Sequence, residues 1–218
     1  MQNVYDYLNE KITDGSVIGM GSGSTIENYI PAVGRHVEEN RMDVTFVPTS
    51  IKTEQLLKDH GLTTSLKVSE IEVTIDGADY FTRTLNVIKG LGGALLREKQ
   101  IGYFSENITI IAKSDKETAS FENLRIPVEV NPFLHELTKT QIRRLTRAEI
   151  TERTEGGSLS TTDNGNYTLD CRLPAIADLD ALHNMLINIP GVIETGIFNR
   201  HITEIVSFSD GDFKVHIK

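Results

Sequence analysis

The first half of the chain alternates short β-rich runs with helical patterns, and this rhythm limits the fold more than any other feature. Residues 16–20 (SVIGM) form a short apolar run that ends in a Gly/Ser loop, and Ile26, Ile30, Val33 and Val37 follow at helical spacing. Ahead of them, Val4, Leu8 and Ile12 also recur at helical spacing. The run 44–47 predicts the next strand, 50–60 a helix stopped by Gly61, and 71–75 a further strand. A helix over 94–103 and a strand over 108–112 continue the series. Strand and helix in strict alternation predict a parallel sheet with helices on both faces, an α/β, Rossmann-like large domain.

The rhythm changes after Pro127. A helix over 133–146 precedes strands near 147–154 and 166–172, with Asp163-Asn164-Gly165-Asn166 as a hairpin turn. A helix near 178–188 and strands near 192–198 and 202–208 complete an α+β pattern. The expected division is a large α/β domain, 1–126 plus 209–218, and a smaller α+β, ferredoxin-like domain, 127–208. The segment 213–217 predicts a strand that returns to the large sheet.

Composition narrows the partners. A net charge of −9 repels nucleic acid and anionic membranes on average, so an anionic ligand would need a locally positive pocket. No apolar run approaches the roughly 18 residues of a membrane span. The acidic, polar start MQNVYDYLNEK is unlike a signal peptide. The single cysteine, Cys171, rules out an intrachain disulfide and reads as a small buried residue in a reducing compartment. The expectation is a soluble, cytoplasmic protein with no nucleic-acid or membrane partner.

Four polar segments sit where ligands bind in such sheets, beyond the carboxyl ends of strands. The first, Gly19-Met20-Gly21-Ser22-Gly23-Ser24-Thr25, suits anion binding at a helix N-terminus. It reads equally as a tight turn with Ser/Thr capping. It lacks the Gly-Lys-Ser/Thr of a P-loop and the strict G-x-G-x-x-G of a dinucleotide site. The second strand also ends without the carboxylate that a dinucleotide site uses for ribose. The second segment, Asp76-Gly77-Ala78-Asp79, offers two carboxylates for polyol hydroxyls or proton transfer, or else a cap or a metal site. The third, residues 89–99 (KGLGGALLREK), opens with Lys89 at the mouth of a glycine-rich loop and leads into a helix. Read alone, Glu98 between Arg97 and Lys99 is a solvated charge. The fourth, Lys113-Ser114-Asp115-Lys116, adds positive charge at the same edge, or is an ordinary loop. The histidines lie outside all four, and neither Gly-x-Ser-x-Gly nor HExxH occurs.

Taken in order, these segments resemble the type A ribose-5-phosphate isomerase family. GMGSGST matches its G-x-G-T/S-G-S-T loop, DGADY its DGADE, and KGLGGALLREK its KGGGGALxREK. PVEV at 127–130, TDNGN at 162–166 and IPGV at 189–192 match further segments. The resemblance implies a large α/β and a smaller α+β domain, no metal or other cofactor, a sugar-phosphate substrate and a homo-oligomer, a dimer. It implies Glu98 as the base that moves a proton between C2 and C1. Asp76 would assist ring opening and proton movement between oxygens, Asp79 would hold hydroxyls, and Lys89 would offset negative charge. Ser22, Gly23, Ser24, Thr25, Gly77, Ala78, Gly90, Leu91, Gly92 and Lys116 match substrate-binding positions.

Three departures stand against the pattern. Tyr80 replaces a glutamate, and Leu91 replaces a glycine. A left-handed backbone at position 91 would cost leucine about 1–2 kcal/mol. The lysine that the family often carries near its start has no match, because Lys11 lies too close to the first strand. The departures keep open a paralogue acting on another sugar phosphate. A non-catalytic sugar-phosphate sensor is the reading from a different class, disfavoured by the negative charge and by the strand already expected at residue 16.

Overall fold

The alternating first half builds a parallel sheet, and the second half builds mainly a smaller antiparallel one. The structure is a computed structural model that describes residues 3–209 and 211–217. Helix α1 (Val4–Asn9) leads into β1 (Val17–Met20), α2 (Ser24–Asn40), β2 (Thr45–Pro48), α3 (Ile51–Asp59), β3 (Thr63–Thr64) and β4 (Ile71–Gly77). Next come β5 (Tyr80–Phe81), β6 (Val87–Ile88), α4 (Leu95–Tyr103) and β7 (Ser105–Lys113). The second half holds β8 (Arg125–Val130), α5 (His135–Thr146), β9 (Glu149–Glu152), β10 (Thr154–Glu155), β11 (Ser158–Leu159) and β12 (Tyr167–Arg172). It closes with α6 (Leu179–Ile187), β13 (Val192–Thr195), β14 (Ile197–Phe198), β15 (Glu204–Ser209) and β16 (Asp212–Ile217).

The large sheet has the order β16-β15-β7-β4-β1-β2-β3. Its strands run parallel except β16, which is antiparallel to β15. The chain steps outward from β1 to β2 and β3, then returns to β4 on the other side of β1. That reversal opens a crevice at the carboxyl ends of β1 and β4, the place where open parallel sheets bind ligands.

Strand parity decides which side chains meet which helix. Ile18, Met20, Val73 and Ile75 pack with Ile26, Tyr29, Ile30 and Val33 of α2 and with Leu8 of α1. Gly19 and Thr74 face the other way, and a Cβ on Gly19 would lie 2.8 Å from Ile101 of α4. Helices therefore cover both faces, as the alternation requires. Asp76 shares the parity of Thr74, so it points to the face covered by α4.

The small sheet has the order β13-β8-β12-β9, with every pair antiparallel. With α5 and α6 it follows the succession β-α-β-β-α-β of a ferredoxin-like unit. Cys171 lies in its core and is 1% exposed, and burial pushes its thiol up to about 12.

The structure corrects four element readings. The strand near 202–208, expected in the smaller domain, is β15, which pairs in parallel with β7 inside the large sheet. The run 192–198 is broken into β13 and β14 at Gly196, where a Cβ would lie 2.3 Å from the carbonyl of Lys89. A third sheet, β14-β6-β5, and the β10–β11 hairpin have no counterpart in the sequence reading. Finally, β4 runs on through Asp76 and Gly77 rather than stopping before them.

Candidate active site

Three glycine-bearing loops converge at the β1/β4 crevice. The loop after β1 must pass against β4, since a Cβ on Gly21 would lie 1.9 Å from Asp76 Oδ1 and 2.6 Å from its Cα. Gly23 then takes φ 88 as the N-cap of α2, and no side chain caps that helix. The reading of this loop as a Ser/Thr-capped turn therefore fails. By contrast, Ser50 caps α3 and Asp178 caps α6 through their side chains. The first-turn amides of α2 are left beside Ser22, Ser24 and Thr25, the arrangement that favours an anion.

Beneath this loop lies a buried charge cluster. Asp76, Lys89 and Glu98 are 2%, 2% and 3% exposed. Lys89 sits at the end of β6 and is fixed by its own N–H, which donates to the Gly196 carbonyl at 3.0 Å. Its ammonium lies 2.9 Å from Asp76 Oδ2, contacts Glu98 Oε2, and stands 5.2 Å from the centre of the Phe198 ring. Asp76 Oδ1 accepts from the N–H of Gly77 at 2.7 Å and of Ser22 at 3.2 Å. Glu98 Oε1 accepts from the Ser22 hydroxyl at 2.6 Å. Leu95, Glu98 and Gly102 form the buried stripe of α4, so the helix turns Glu98 inward rather than to solvent.

The electrostatics follow from two carboxylates and one ammonium sharing a dry site. Burial pushes the Asp76 carboxyl up from 3.8 to about 7, with Lys89 opposing and the nearby Glu98 adding to it. Burial works against the charged form of Lys89, but the two carboxylates outweigh it and raise its pKa. The cluster therefore contains a carboxyl able to exchange a proton near neutral pH, next to a fixed positive charge.

The other site residues line a small cavity above the cluster. It has a volume of about 70 Å³ and is walled by Ser22, Gly23, Ser24 and Thr25, by Gly77, Ala78 and Asp79, and by Lys89, Gly90, Gly92, Glu98 and Lys116. Asp76 and Leu91, the other two residues named from the sequence, do not line it. Asp76 lies beneath, and Leu91 is tied to the wall through Asp79, whose Oδ2 accepts from the Leu91 N–H at 2.9 Å. Leu91 is not among the residues with positive φ, so its side chain carries no left-handed strain. Glycine is needed next door, where Gly90 has φ 98 and a Cβ would lie 2.5 Å from Leu95 Cβ. Tyr80 pairs with Ile88 in the small third sheet and packs on the second-half core. Lys116 closes the rim, its ammonium donating to the Ala78 carbonyl, and burial lowers its pKa. Lys11 is elsewhere, paired with Glu204.

Asp76, Lys89 and Glu98 also line a larger cavity of about 600 Å³, together with Phe198, Ile197, Tyr103, Phe104 and other side chains. It is the roomier of the two but is walled largely by apolar groups. The small cavity brings together the helix N-terminus, the Asp79 and Glu98 carboxylates and the two lysines, which is why we place the chemistry there. One residue that no motif singled out also reaches the site: Arg153, from the link between β9 and β10, donates to the carbonyls of Gly90 and Leu91. It stands in no recognisable local pattern, and only the fold brings it there. A cluster with metal-ligand geometry, His135, Glu136 and Glu152, lies away from the crevice, and the Lys139 ammonium already sits 2.7 and 2.9 Å from its carboxylates.

This arrangement can move a proton, stabilise a developing oxyanion and hold a phosphorylated polyol. Residues 45–212 match the family described as ribose 5-phosphate isomerase A (phosphoriboisomerase A). A ribose-5-phosphate isomerase A from Thermoplasma volcanium is 36% identical over 208 residues, covering 94% of this chain and 86% of that one. One from Methanosarcina acetivorans is 35% identical over 207 residues, covering 94% and 88%. Among solved structures, ribose 5-phosphate isomerase A from Methanocaldococcus jannaschii superposes with a TM-score of 0.93 at 29% identity, covering 99% of this chain and 96% of that one. A D-ribose-5-phosphate isomerase in complex with phospho-erythronic acid has the same TM-score and identity, covering 98% and 96%. On sequence and fold together, the chain belongs to the ribose 5-phosphate isomerase A family of isomerases.

Proposed function

We propose that the chain interconverts D-ribose 5-phosphate and D-ribulose 5-phosphate through an enediolate, with Glu98 as the base. The observation that carries this reading is the setting of Glu98. It is buried, hydrogen-bonded by Ser22 Oγ, and paired with an ammonium that can balance negative charge as it forms. Glu98 takes the C2 proton of the open-chain aldose and returns it to C1, while the hydroxyl proton passes from O2 to O1. Lys89 offsets the charge of the enediolate. Asp76, with its near-neutral carboxyl, opens the ring and carries the proton between oxygens. The amides of α2 with Ser24 and Thr25 receive the phosphate, Asp79 holds sugar hydroxyls, and Lys116 adds positive charge at the rim.

The reading places the enzyme in the cytoplasm, in the non-oxidative pentose phosphate pathway, as a homodimer. Exposed Tyr103 and Phe104, in edge contact at 5.2 Å, offer apolar surface for a second copy. No helix among the described residues is long and apolar enough to cross a membrane.

The test is ribulose 5-phosphate formation from ribose 5-phosphate without added metal, for wild type and Glu98→Gln. A positioned base contributes about 10²–10⁴-fold, so the variant should lose at least that much in kcat while still binding substrate. Wild type that binds ribose 5-phosphate without turning it over would refute the reading.

A further inference from the structure

Arg153 uses its guanidinium on two partners at once. Its Nε and Nη2 donate to the two oxygens of Asp170 at 3.0 and 2.6 Å, a bidentate pair within the small unit. Its Nη1 donates to the Leu91 carbonyl at 2.7 Å and to the Gly90 carbonyl at 3.3 Å. The Leu91 N–H is meanwhile held by Asp79 Oδ2 at 2.9 Å. Leu91 is thus gripped from opposite sides, its amide by a carboxylate that follows β4 and its carbonyl by a cation from the small sheet. The loop between Lys89 and α4 is rich in glycine, with Gly90 at φ 98 and Gly93 at φ 87, so beyond the turn in which the Gly93 N–H donates to the Gly90 carbonyl at 2.9 Å its own backbone does little to hold one shape.

We propose that Arg153 is a positioning residue for the reaction. It locks the loop that follows Lys89 and so keeps Asp79 and the loop amides in the geometry that receives the sugar phosphate. The proposal rests on the reading of that loop and Asp79 as substrate-holding. Asp170 orients the guanidinium, and the Leu91 carbonyl is its working contact. Lysine would not serve, because an ammonium lacks the planar fork that meets a carboxylate and two carbonyls together.

The test is steady-state isomerisation of ribose 5-phosphate by wild type, Arg153→Ala, Arg153→Lys, Asp79→Asn and the Arg153→Ala/Asp79→Asn double variant, with thermal melting of each. Arg153→Ala should raise KM by about ten- to a hundredfold, the size of a lost charge-assisted hydrogen bond, with a smaller change in kcat. Added methylguanidinium should recover part of the KM without raising the melting temperature. The double variant should be less impaired than the product of the single effects, since both residues hold one peptide segment. If Arg153→Ala does not fold, Arg153→Lys carries the test, because its ammonium can still pair with Asp170 but loses the grip on Leu91; its KM should rise. A folded Arg153 variant with wild-type KM would overturn the positioning role alone, with the isomerase reading intact. Wild type without turnover would remove the reading beneath it and overturn both.

Discussion

Asp76 makes the stability of this protein depend on pH in a direction opposite to that of an ordinary ion-paired carboxylate. In the unfolded chain it ionises near 3.8, whereas burial holds its proton in the folded protein until about pH 7. Between these values the folded state binds more protons than the unfolded state, so stability falls as pH rises through the window. Moving one carboxyl from 3.8 to about 7 corresponds to about 4 kcal/mol. Asp76→Asn removes this titration and keeps the shape. Below pH 4 the variant and wild type should have similar stability. From pH 4 to 7 the variant should become progressively more stable relative to wild type, by up to about 4 kcal/mol. Denaturant unfolding of both proteins at intervals across this range measures the difference directly, and titrations of groups remote from Asp76 cancel. A flat difference, or a variant that loses ground as pH rises, would refute the account of Asp76 as a carboxyl kept protonated by burial.

Other consequences can be checked separately. Ser22→Ala removes the 2.6 Å bond to Glu98, and a hydrogen bond to a charged group is worth about 1.5–3 kcal/mol, so kcat/KM should fall about ten- to a hundredfold with the fold intact. Leu91→Gly should not improve kcat/KM, because leucine carries no left-handed strain there; added freedom in the unfolded chain should instead cost about 0.4–1 kcal/mol in melting experiments. Gly21→Ala puts a methyl into Asp76, including its backbone, and should destabilise by about 1–3 kcal/mol or more, read as a lowered thermal midpoint with loss of activity.

Some features of the site are local, and these are legible in the sequence. A glycine and serine run between a strand and a helix already marks a helix N-terminus, and the structure shows that no side chain caps it. The loops after β1 and β4 meet because the β-α-β rhythm implies a parallel sheet, and such a sheet gathers its loops at one edge. Those arguments, together with the family resemblance carried by the motifs, place Ser22 to Thr25, Gly77 to Asp79, Lys89, Gly90, Gly92, Glu98 and Lys116 around one cavity.

What tertiary structure decides is everything that depends on partners distant in the chain. Glu98, flanked by Arg97 and Lys99, reads as a surface charge; it is buried because α4 lays its Leu95–Gly102 stripe over the Asp76 face of β4. The near-neutral carboxyl of Asp76 exists only once the fold excludes water from it and brings Glu98 near, against the opposing pull of Lys89. Strand β15 follows the small sheet in sequence but pairs with β7, about a hundred residues earlier, since hydrogen-bond pairing is set by where a strand lands and not by its neighbours in the chain. Arg153 reaches the loop after Lys89 for the same reason: no local pattern marks it, and the packing of the small sheet against the large one alone brings its guanidinium to the Leu91 carbonyl.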